Sequence, residues 1–343
     1  MYQRLGDLVT RAAIRKCFRA PRAAVAFGCL LLGACGGSTP NSGARDWRRS
    51  PAVFQADNVS EIDALGDVHG DPAVTVRVLA AAGLVAAEAP HNWIGGRRVL
   101  IVTGDVIDKG AAATPIIDML VTIASQAEAA GGKVVVTLGN HEAEFVADPQ
   151  NSKSTEFRNE LTSLGLDPAA VARGETKYGA WLASRPVAAI VDKWFFSHGG
   201  NTRGMGLDEL ATAYQATFTA EGKPQFDDPF LVGDNSLLEA QTWWFGSGAA
   251  TSASNLDFDL AALPASHFVF GHDPGAVPFP DDPAGDRAAG EMVARYGGRL
   301  FMIDVGMSYA VGYSGGSLLR ITHGVPDTAT QVLADGTMQA LWP

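Results

Sequence analysis

Cysteine is almost absent from this chain of 343 residues, and the three cysteines all lie near the N-terminus, at Cys17, Cys29 and Cys35. The rest of the chain therefore has no thiol for a disulfide or for metal binding. Basic residues are also scarce, because 26 Lys and Arg stand against 37 Asp and Glu for a net charge of −11. Without a basic stripe to neutralise phosphates, the sequence argues against a nucleic-acid partner.

Basic residues at the N-terminus precede an apolar run from Ala23 to Leu32, which is too short to span a bilayer as a helix. The run ends in Leu32-Gly33-Ala34-Cys35, which resembles the lipobox of bacterial lipoproteins. We therefore expect residues 1–34 to be a signal peptide and Cys35 to be lipidated. An ordinary cleavage site with a coincidental cysteine is the alternative.

The segment that follows is rich in Gly, Ser, Pro and Asn, and we expect residues 35–57 to tether the anchor to a domain at 58–343. By resemblance, Gly36 in place of Asp after the lipidated cysteine implies retention at the outer membrane, facing the periplasm. The chain without its leader is strongly acidic, so membrane contact is expected only through the acyl chains.

Five short segments pair glycine with residues that bind hard metal ions, and each segment follows an apolar run. In chain order they are Gly66-Asp67-Val68-His69-Gly70, Gly104-Asp105-Val106-Ile107-Asp108-Lys109-Gly110, Gly139-Asn140-His141-Glu142, Ser197-His198-Gly199-Gly200 and Gly271-His272. The apolar runs predict buried strands, which place the residues that follow them on loops along one edge of a sheet.

The donor types in these segments define the chemistry. Two carboxylates, one amide and three imidazoles are too many for one tetrahedral zinc site. They suit two adjacent ions of the Mn, Fe or Zn type, which accept both imidazole and oxygen ligands. Such a pair clamps the attacking and leaving oxygens of a displacement at phosphorus and activates a bridging water. The sequence therefore predicts hydrolysis of a phosphate ester.

The order of these motifs resembles that of the calcineurin-like metallophosphoesterases, especially the bacterial Shewanella-like members of the phosphoprotein-phosphatase branch. The resemblance implies an α/β (α+β) fold of four αββα layers, in which two mixed sheets pack face to face with helices outside. Insertions at about 145–185 and 203–265 are expected to form a cap near the metals.

The resemblance also implies a role for each motif residue. The first ion would be bound by Asp67, His69 and Asp105, and the second by Asp105, Asn140, His198 and His272, with Asp105 as the bridge. His141 would be the general acid that protonates the leaving oxygen, since histidine supplies a proton near neutral pH, and Asp108 would orient its imidazole.

The sequence departs from the resemblance at the residues that clamp phosphate. Lys109 stands in place of the motif arginine, and it lacks the flat fork that binds two oxygens at once. Phe245 stands where many members of the branch have a second arginine. We predict that Lys109 and Arg203 bind the substrate, with Arg203 compensating for the missing arginine. Asp304 is expected at a strand end that lines or supports the site.

These observations favour a phosphatase that acts on phosphomonoesters, either phosphoproteins or small esters. A phosphodiesterase or dinucleoside-polyphosphate hydrolase is the alternative; Asp108 argues against it, whereas Lys109 and Phe245 weaken that argument. A non-catalytic metal-binding lipoprotein is a third hypothesis, with little support because all six ligand positions are filled.

The remaining pattern predicts helices from Pro72 to Gly83 and over 115–130, each between strands of a largely parallel sheet. Four C-terminal runs, at 299–303, 317–321, 330–333 and 337–341, predict antiparallel strands of a second sheet with a hairpin turn at 334–336. Apart from a helix over 207–218, the stretch between His198 and His272 is expected to be loop.

Overall fold

The computed structural model describes residues 45–245 and 251–343, so the predicted signal peptide and Cys35 lie outside the described residues. The strands are β1 (Val53–Ala56), β2 (Glu61–Leu65), β3 (Val99–Val102), β4 (Lys133–Val136), β5 (Ala188–Val191), β6 (Trp194–Ser197), β7 (His267–Phe270), β8 (Val293–Arg295), β9 (Leu300–Met302), β10 (Ser317–Thr322), β11 (Thr328–Leu333) and β12 (Met338–Trp342). The α-helices are α1 (Pro72–Ala81), α2 (Ala113–Ala129), α3 (Asn140–Ala147), α4 (Thr155–Ser163), α5 (Pro168–Ala172), α6 (Lys177–Ala183), α7 (Leu207–Ala216) and α8 (Ser252–Ala262).

The strands form two mixed sheets of six strands each. The first sheet has the order β12-β11-β10-β2-β3-β4, and the second has the order β1-β5-β6-β7-β9-β8. In the first sheet β2, β3 and β4 are parallel neighbours. In the second sheet β6, β7 and β9 are also parallel neighbours. Each sheet therefore contributes three adjacent strands whose carboxyl ends lie at one edge.

Two of the strands that carry motifs, β3 and β6, are almost wholly apolar because they are buried on both faces. All four residues of β3 are buried, as are all four of β6. Helices α1 and α2 pack against the first sheet, and α7 packs against β1 of the second. The prediction of two sheets with helices is confirmed, and none of the described helices is both long and apolar enough to cross a membrane.

The first predicted helix is confirmed as α1, and its start follows from local chemistry. The Asp71 side chain accepts a hydrogen bond from the Val74 backbone N–H at 3.1 Å, and Pro72 occupies the first turn, where no N–H is needed. This cap fixes the direction in which the chain leaves the loop that carries Asp67 and His69.

The predicted sheet is wrong for three of the four C-terminal strands. Strands β10, β11 and β12 do not build a second sheet; they extend the first one, with β10 antiparallel to β2. Strand β9 belongs to the second sheet, where it runs parallel to β7. The predicted hairpin at 334–336 is present, since the Leu333 N–H donates to the Thr337 carbonyl and Gly336 has a φ of 86°.

Two other boundaries also require correction. Strand β1 lies within the predicted 35–57 tether, where it pairs in parallel with β5. Arg45 binds the Tyr214 hydroxyl at 3.1 Å, so the folded domain extends N-terminally at least to that residue. Helix α8 occupies part of the stretch predicted as loop, and it begins with a Thr251 hydroxyl that accepts from the Ser254 N–H.

Candidate metal centre

The six predicted metal ligands lie together, because each follows one of the adjacent parallel strands. Asp67, Asp105 and Asn140 follow the strands of the first sheet, whereas His198 and His272 follow those of the second. His69 is two residues beyond Asp67. His272 Nδ1 lies 3.2 Å from Asn140 Oδ1, and the His272 N–H donates to Asp67 Oδ1 at 3.1 Å. The donors of both sheets therefore share one pocket.

Glycine precedes several donors because another side chain would collide with them. A Cβ at position 139 would lie 2.2 Å from Asp105 Oδ1, and one at position 271 would lie 2.2 Å from Asp67 Oδ1. Three donors have positive φ angles themselves: His69 at 40°, Asp105 at 48° and His272 at 70°. Backbone strain of this kind concentrates at functional sites, where the surrounding fold holds it in place.

Hydrogen bonds on the outer side of each imidazole aim its other nitrogen at the pocket. His69 Nδ1 donates to the Ile107 carbonyl at 3.1 Å, and His198 Nδ1 donates to the Thr103 carbonyl at 2.8 Å. His272 Nε2 donates to the Glu239 carbonyl at 3.1 Å. Backbone carbonyls behind metal-binding histidines fix ring orientation in this way.

The inward-facing atoms require a cation among them. His198 Nε2 lies 2.9 Å from Asn140 Oδ1, 3.2 Å from His272 Nδ1 and 3.3 Å from Asp105 Oδ2. The amide oxygen of Asn140 faces the pocket because its Nδ2 donates outward, to Glu144 at 3.4 Å and to Glu239 at 3.3 Å. Acceptors this close and this buried repel one another unless a proton or a metal ion lies between them.

Asp105 is the residue that the two halves of the cluster share. Its Oδ2 lies 3.6 Å from His69 Nε2 and 3.3 Å from His198 Nε2. Asp105, His198 and His272 each offer a ligand atom within 4.8 Å of the others, and so do His69, Asp105 and His141. The donor set, with oxygen and imidazole on both sides of one carboxylate, fits two ions of the Mn, Fe or Zn type.

Burial and neighbouring charges shift the pKa values of the histidines in the cluster. Burial lowers the pKa of His69 to about 3, and burial together with the charge of His198 lowers the pKa of His272 to about 3. Burial also opposes protonation of His198, but Asp105 and Asp67 outweigh it and raise its pKa to about 10. Neutral imidazoles are the form that metals bind, and a metal ion would displace the proton that His198 binds in its absence.

His141 lies beside the cluster, as the sequence predicts. Its Nε2 is 4.0 Å from Asp105 Oδ2, and its Nδ1 is 3.5 Å from Asp108 Oδ2 and 3.2 Å from the Lys153 carbonyl. Burial opposes the charge on His141, yet Asp105 and Asp108 raise its pKa above the ordinary value. The raised pKa favours the charged form of the ring next to the site, while its role as general acid stays a prediction.

Of the two predicted substrate-binding residues, only Lys109 reaches the cluster. Lys109 Nζ lies 2.9 Å from His69 Nε2. Arg203 is exposed, and its guanidinium lies over the Phe230 ring, 5.7 Å from the ring centroid. Phe245, at the position of the missing arginine, packs against Trp244 with ring centroids 5.5 Å apart. Within the described residues, no contact brings Arg203 to the metal ligands.

Sequence reasoning assigned no role to Glu142, Glu144, Glu239 and Lys153, which surround the donors. Glu142 is buried and accepts hydrogen bonds from four backbone N–H groups in the loops around Asp105. Its place three residues after Gly139, which is the position of a capping-box glutamate, was the sequence signal that could have predicted this role. Glu239 and Lys153 come from separate insertions, so nothing in the local sequence links them. Asp304 is buried at the end of β9, and burial raises its pKa to about 6.

Two mixed sheets joined at a cluster of imidazole, carboxylate and amide donors define a metal-dependent hydrolase. Residues 61–276 match the calcineurin-like phosphoesterase family, and the chain belongs to this family. Members of the family hydrolyse phosphoesters with bound metal ions, so the predicted class of enzyme is confirmed.

Similar proteins include phosphatases. An uncharacterized protein of Schizosaccharomyces pombe is 25% identical over 81% of this chain and 82% of its own length. Shewanella-like protein phosphatase 2 of Arabidopsis thaliana is 37% identical, but over only 23% of this chain and 20% of its own length. Shewanella-like protein phosphatase 1 of Plasmodium berghei is 33% identical over 24% of this chain and 22% of its own length. The chain thus spans about a fifth of the named phosphatases.

Solved structures confirm the fold. The cold-active protein-tyrosine phosphatase of a psychrophilic Shewanella species superposes with a TM-score of 0.66 at 22% identity, over 85% of this chain and 82% of that one. A protein serine/threonine phosphatase from Saccharomyces cerevisiae superposes with a TM-score of 0.53 at 15% identity, over 81% of this chain and 79% of that one. At these identities the likeness concerns the architecture of the two sheets alone.

Proposed function

We propose that this chain is a two-metal phosphatase that hydrolyses phosphomonoesters, including phosphorylated proteins. The observation that carries the proposal is the convergence of six donors from both sheets on one pocket, with Asp105 between the two halves. One ion would be held by Asp67, His69 and Asp105, and the other by Asp105, Asn140, His198 and His272. When bound, the ions neutralise charge on the phosphoryl oxygens and lower the pKa of a water for attack at phosphorus.

The side chains beside the donors supply the remaining chemistry. His141 holds a proton next to the pocket, and donating it to the departing oxygen makes an alkoxide a better leaving group. Asp108, whose Oδ2 is buried and lies 3.5 Å from His141 Nδ1, keeps the ring oriented and favours its charged form. Lys109, whose Nζ lies 2.9 Å from His69 Nε2, contributes a point charge for one phosphate oxygen.

The similarity to phosphatases supports a monoester substrate, and Asp108 supports it further. The alternative substrate classes are diesters and dinucleoside polyphosphates; Asp108 argues against them, whereas Lys109 in place of the motif arginine weakens that argument. The nature of the metal pair is proposed from the donors alone as manganese, iron or zinc, since all three accept mixed imidazole and oxygen ligands.

The test is a substrate panel with defined metal content. The soluble domain is stripped with a chelator, reloaded with Mn²⁺ or Zn²⁺, and assayed on an aryl phosphate, a phosphopeptide, a diester and a dinucleoside polyphosphate. We expect metal-dependent turnover that is fastest on the monoesters. Faster cleavage of the diester or the anhydride would favour the alternative class, and no turnover of any ester by the two-metal form would refute the proposal.

The proposed location is the bacterial cell envelope, with the domain tethered to the outer membrane through a lipid on Cys35. The support is the leader sequence, with its basic start, short apolar run and Leu-Gly-Ala-Cys ending. Replacement of Cys35 by Ala should abolish incorporation of labelled palmitate. A wild-type chain that takes up no labelled palmitate would refute the lipid anchor.

A further inference from the structure

In the short segment between α3 and α4, one residue contacts both His141 and the carboxylates that lie behind the metal ligands. Lys153 lies in a 3₁₀ helix, Ser152–Ser154, within the first predicted insertion. Its backbone carbonyl is the acceptor for His141 Nδ1 at 3.2 Å. The conformation of this segment therefore bears on the orientation of the proposed proton donor.

The side chain of the same lysine reaches two carboxylates that lie behind ligands of the second ion. Lys153 Nζ donates to Glu144 Oε1 at 2.5 Å and to Glu239 Oε1 at 2.8 Å. Both carboxylates accept hydrogen bonds from Asn140 Nδ2, and this pairing is what aims the Asn140 oxygen at the pocket. Glu239 also presents its backbone carbonyl to His272 Nε2 at 3.1 Å.

Two carboxylates on one amide group repel each other unless a cation or a shared proton lies between them. Lys153 is the cation that contacts both among the described residues. Partial burial works against its charge, but the hydrogen bonds to Glu144 and Glu239 prevail and raise the pKa of Lys153 above the ordinary value. Without the ammonium, Glu144 and Glu239 would move apart, and Asn140 and His272 would lose the groups that orient them.

We propose that Lys153 is a positioning residue, which holds Glu144 and Glu239 together so that Asn140 and His272 face the second metal ion. The residue ties the first insertion, which carries it, to the second insertion, which carries Glu239. The inference rests on the two-metal site of the proposed function, although its test needs no substrate.

The experiment titrates Mn²⁺ into chelator-stripped protein and follows heat and stoichiometry. Wild type should bind two ions per chain. In Lys153→Met, which keeps the aliphatic stem, the second ion should bind at least about tenfold more weakly, as is usual when a group behind a metal ligand is lost. The matched control is Lys193→Met, which removes an exposed lysine on the turn between β5 and β6 and should behave as wild type.

A double variant separates positioning from a merely structural role. In Lys153→Met/Glu144→Gln the new amide donates to Glu239 in place of the ammonium, so the affinity for the second ion should recover in part. A loss of thermal stability in metal-free Lys153→Met, with both Mn²⁺ sites unchanged, would overturn the inference. So would a wild-type chain that binds fewer than two ions, or a double variant as weak as the single one.

These outcomes are independent of the catalytic proposal. If wild type binds two Mn²⁺ ions but cleaves no ester in the panel, the proposed function fails and the role of Lys153 is still decided by the binding data. Should turnover be intact while Lys153→Met binds both ions normally, the catalytic proposal stands and the role of Lys153 is refuted.

Discussion

The carboxylate of Glu142 accepts a hydrogen bond from the backbone N–H of Asp105 at 2.9 Å, so a side chain of one motif supports the loop of another. The same carboxylate accepts from Gly139, Val106 and Ile107. The Glu142 carboxylate thus holds three backbone N–H groups of the loop that carries Asp105, and links that loop to Gly139, which explains how a residue with a φ of 48° keeps its conformation.

Replacement of Glu142 by Gln should therefore destabilise the fold. The amide NH₂ would face backbone N–H donors that lose their acceptor, and the expected cost is roughly 2–3 kcal/mol for a buried group of this kind. Urea unfolding of metal-free protein measures it. Glu128→Gln, at an exposed position of α2, is the control and should change the free energy of unfolding by less than about 0.5 kcal/mol. Equal unfolding curves for both variants would contradict this account.

Asp105→Asn should remove almost all activity and leave the fold intact. Asparagine still accepts the His141 backbone N–H that Asp105 Oδ1 accepts at 3.1 Å, but it cannot bridge two cations as a carboxylate does. The loss of several kcal/mol of metal-derived stabilisation corresponds to a rate lower by about 100-fold or more. Activity and circular dichroism are compared with those of Asp118→Asn, on the surface of α2. An active Asp105→Asn protein would refute the bridging role.

His141→Ala should slow substrates according to their leaving groups. Alkyl phosphates need a proton on the departing oxygen, whereas nitrophenyl phosphate does not, so the expected losses are about 100-fold or more for the former and much smaller for the latter. The measurement is kcat on both substrates at saturating metal. Equal losses on the two substrates would show that His141 does not act as the general acid.

Lys109→Met and Arg203→Met should differ, although sequence reasoning treated the two residues alike. Lys109 lies 2.9 Å from His69, so its loss should raise KM for a monoester by about tenfold, as expected for one charge-assisted hydrogen bond. Arg203 lies over Phe230, away from the cluster, and its loss should leave kcat and KM unchanged. A large effect of Arg203→Met with none of Lys109→Met would reverse this assignment.

His267 should make the fold less stable in mild acid. Its ring stacks on Trp194 with centroids 3.9 Å apart, and burial lowers its pKa below the ordinary value of 6.5. The unfolded chain then binds a proton more readily than the folded chain does, so the free energy of unfolding falls as the pH drops through 6.5. His267→Gln should make this dependence less steep in urea unfolding of chelated protein between about pH 7.5 and 5, while His69 and His272, whose pKa values burial also lowers, keep the remaining slope. Parallel curves for wild type and variant would contradict the prediction.

Much of the metal centre follows from the sequence because the information is local. An apolar run such as Val99–Val102 predicts a buried strand, and the Gly-Asp pair after it predicts a tight loop that presents a carboxylate. Helix α1 is predictable for the same reason, since Asp71 and Pro72 mark its start. Parallel neighbours then bring these loops to one edge without any further information.

Pairings between distant segments could not be predicted in this way. The pattern of β10 fits either sheet, and only its register against β2, with Ile321 opposite Ile62, assigns it to the first. Strand β1 has four residues, too few for a clear alternation, and its partner β5 lies more than 130 residues away. Helix α8 has Asn and Asp residues in its interior, which obscured its signal despite the cap at Thr251.

The pairing of β10 with β2 has a consequence for the order in which the molecule is assembled. Strand β2, which leads into Asp67 and His69, has β3 on one side from early in synthesis, but its other neighbour arises only with residues 317–322. Until that stretch leaves the ribosome, one edge of β2 has no hydrogen-bonded neighbour. The strand that leads into the first metal-binding loop is then paired with β3 alone. A nascent chain stalled before Ser317 should therefore expose this loop to protease, whereas the finished protein protects it.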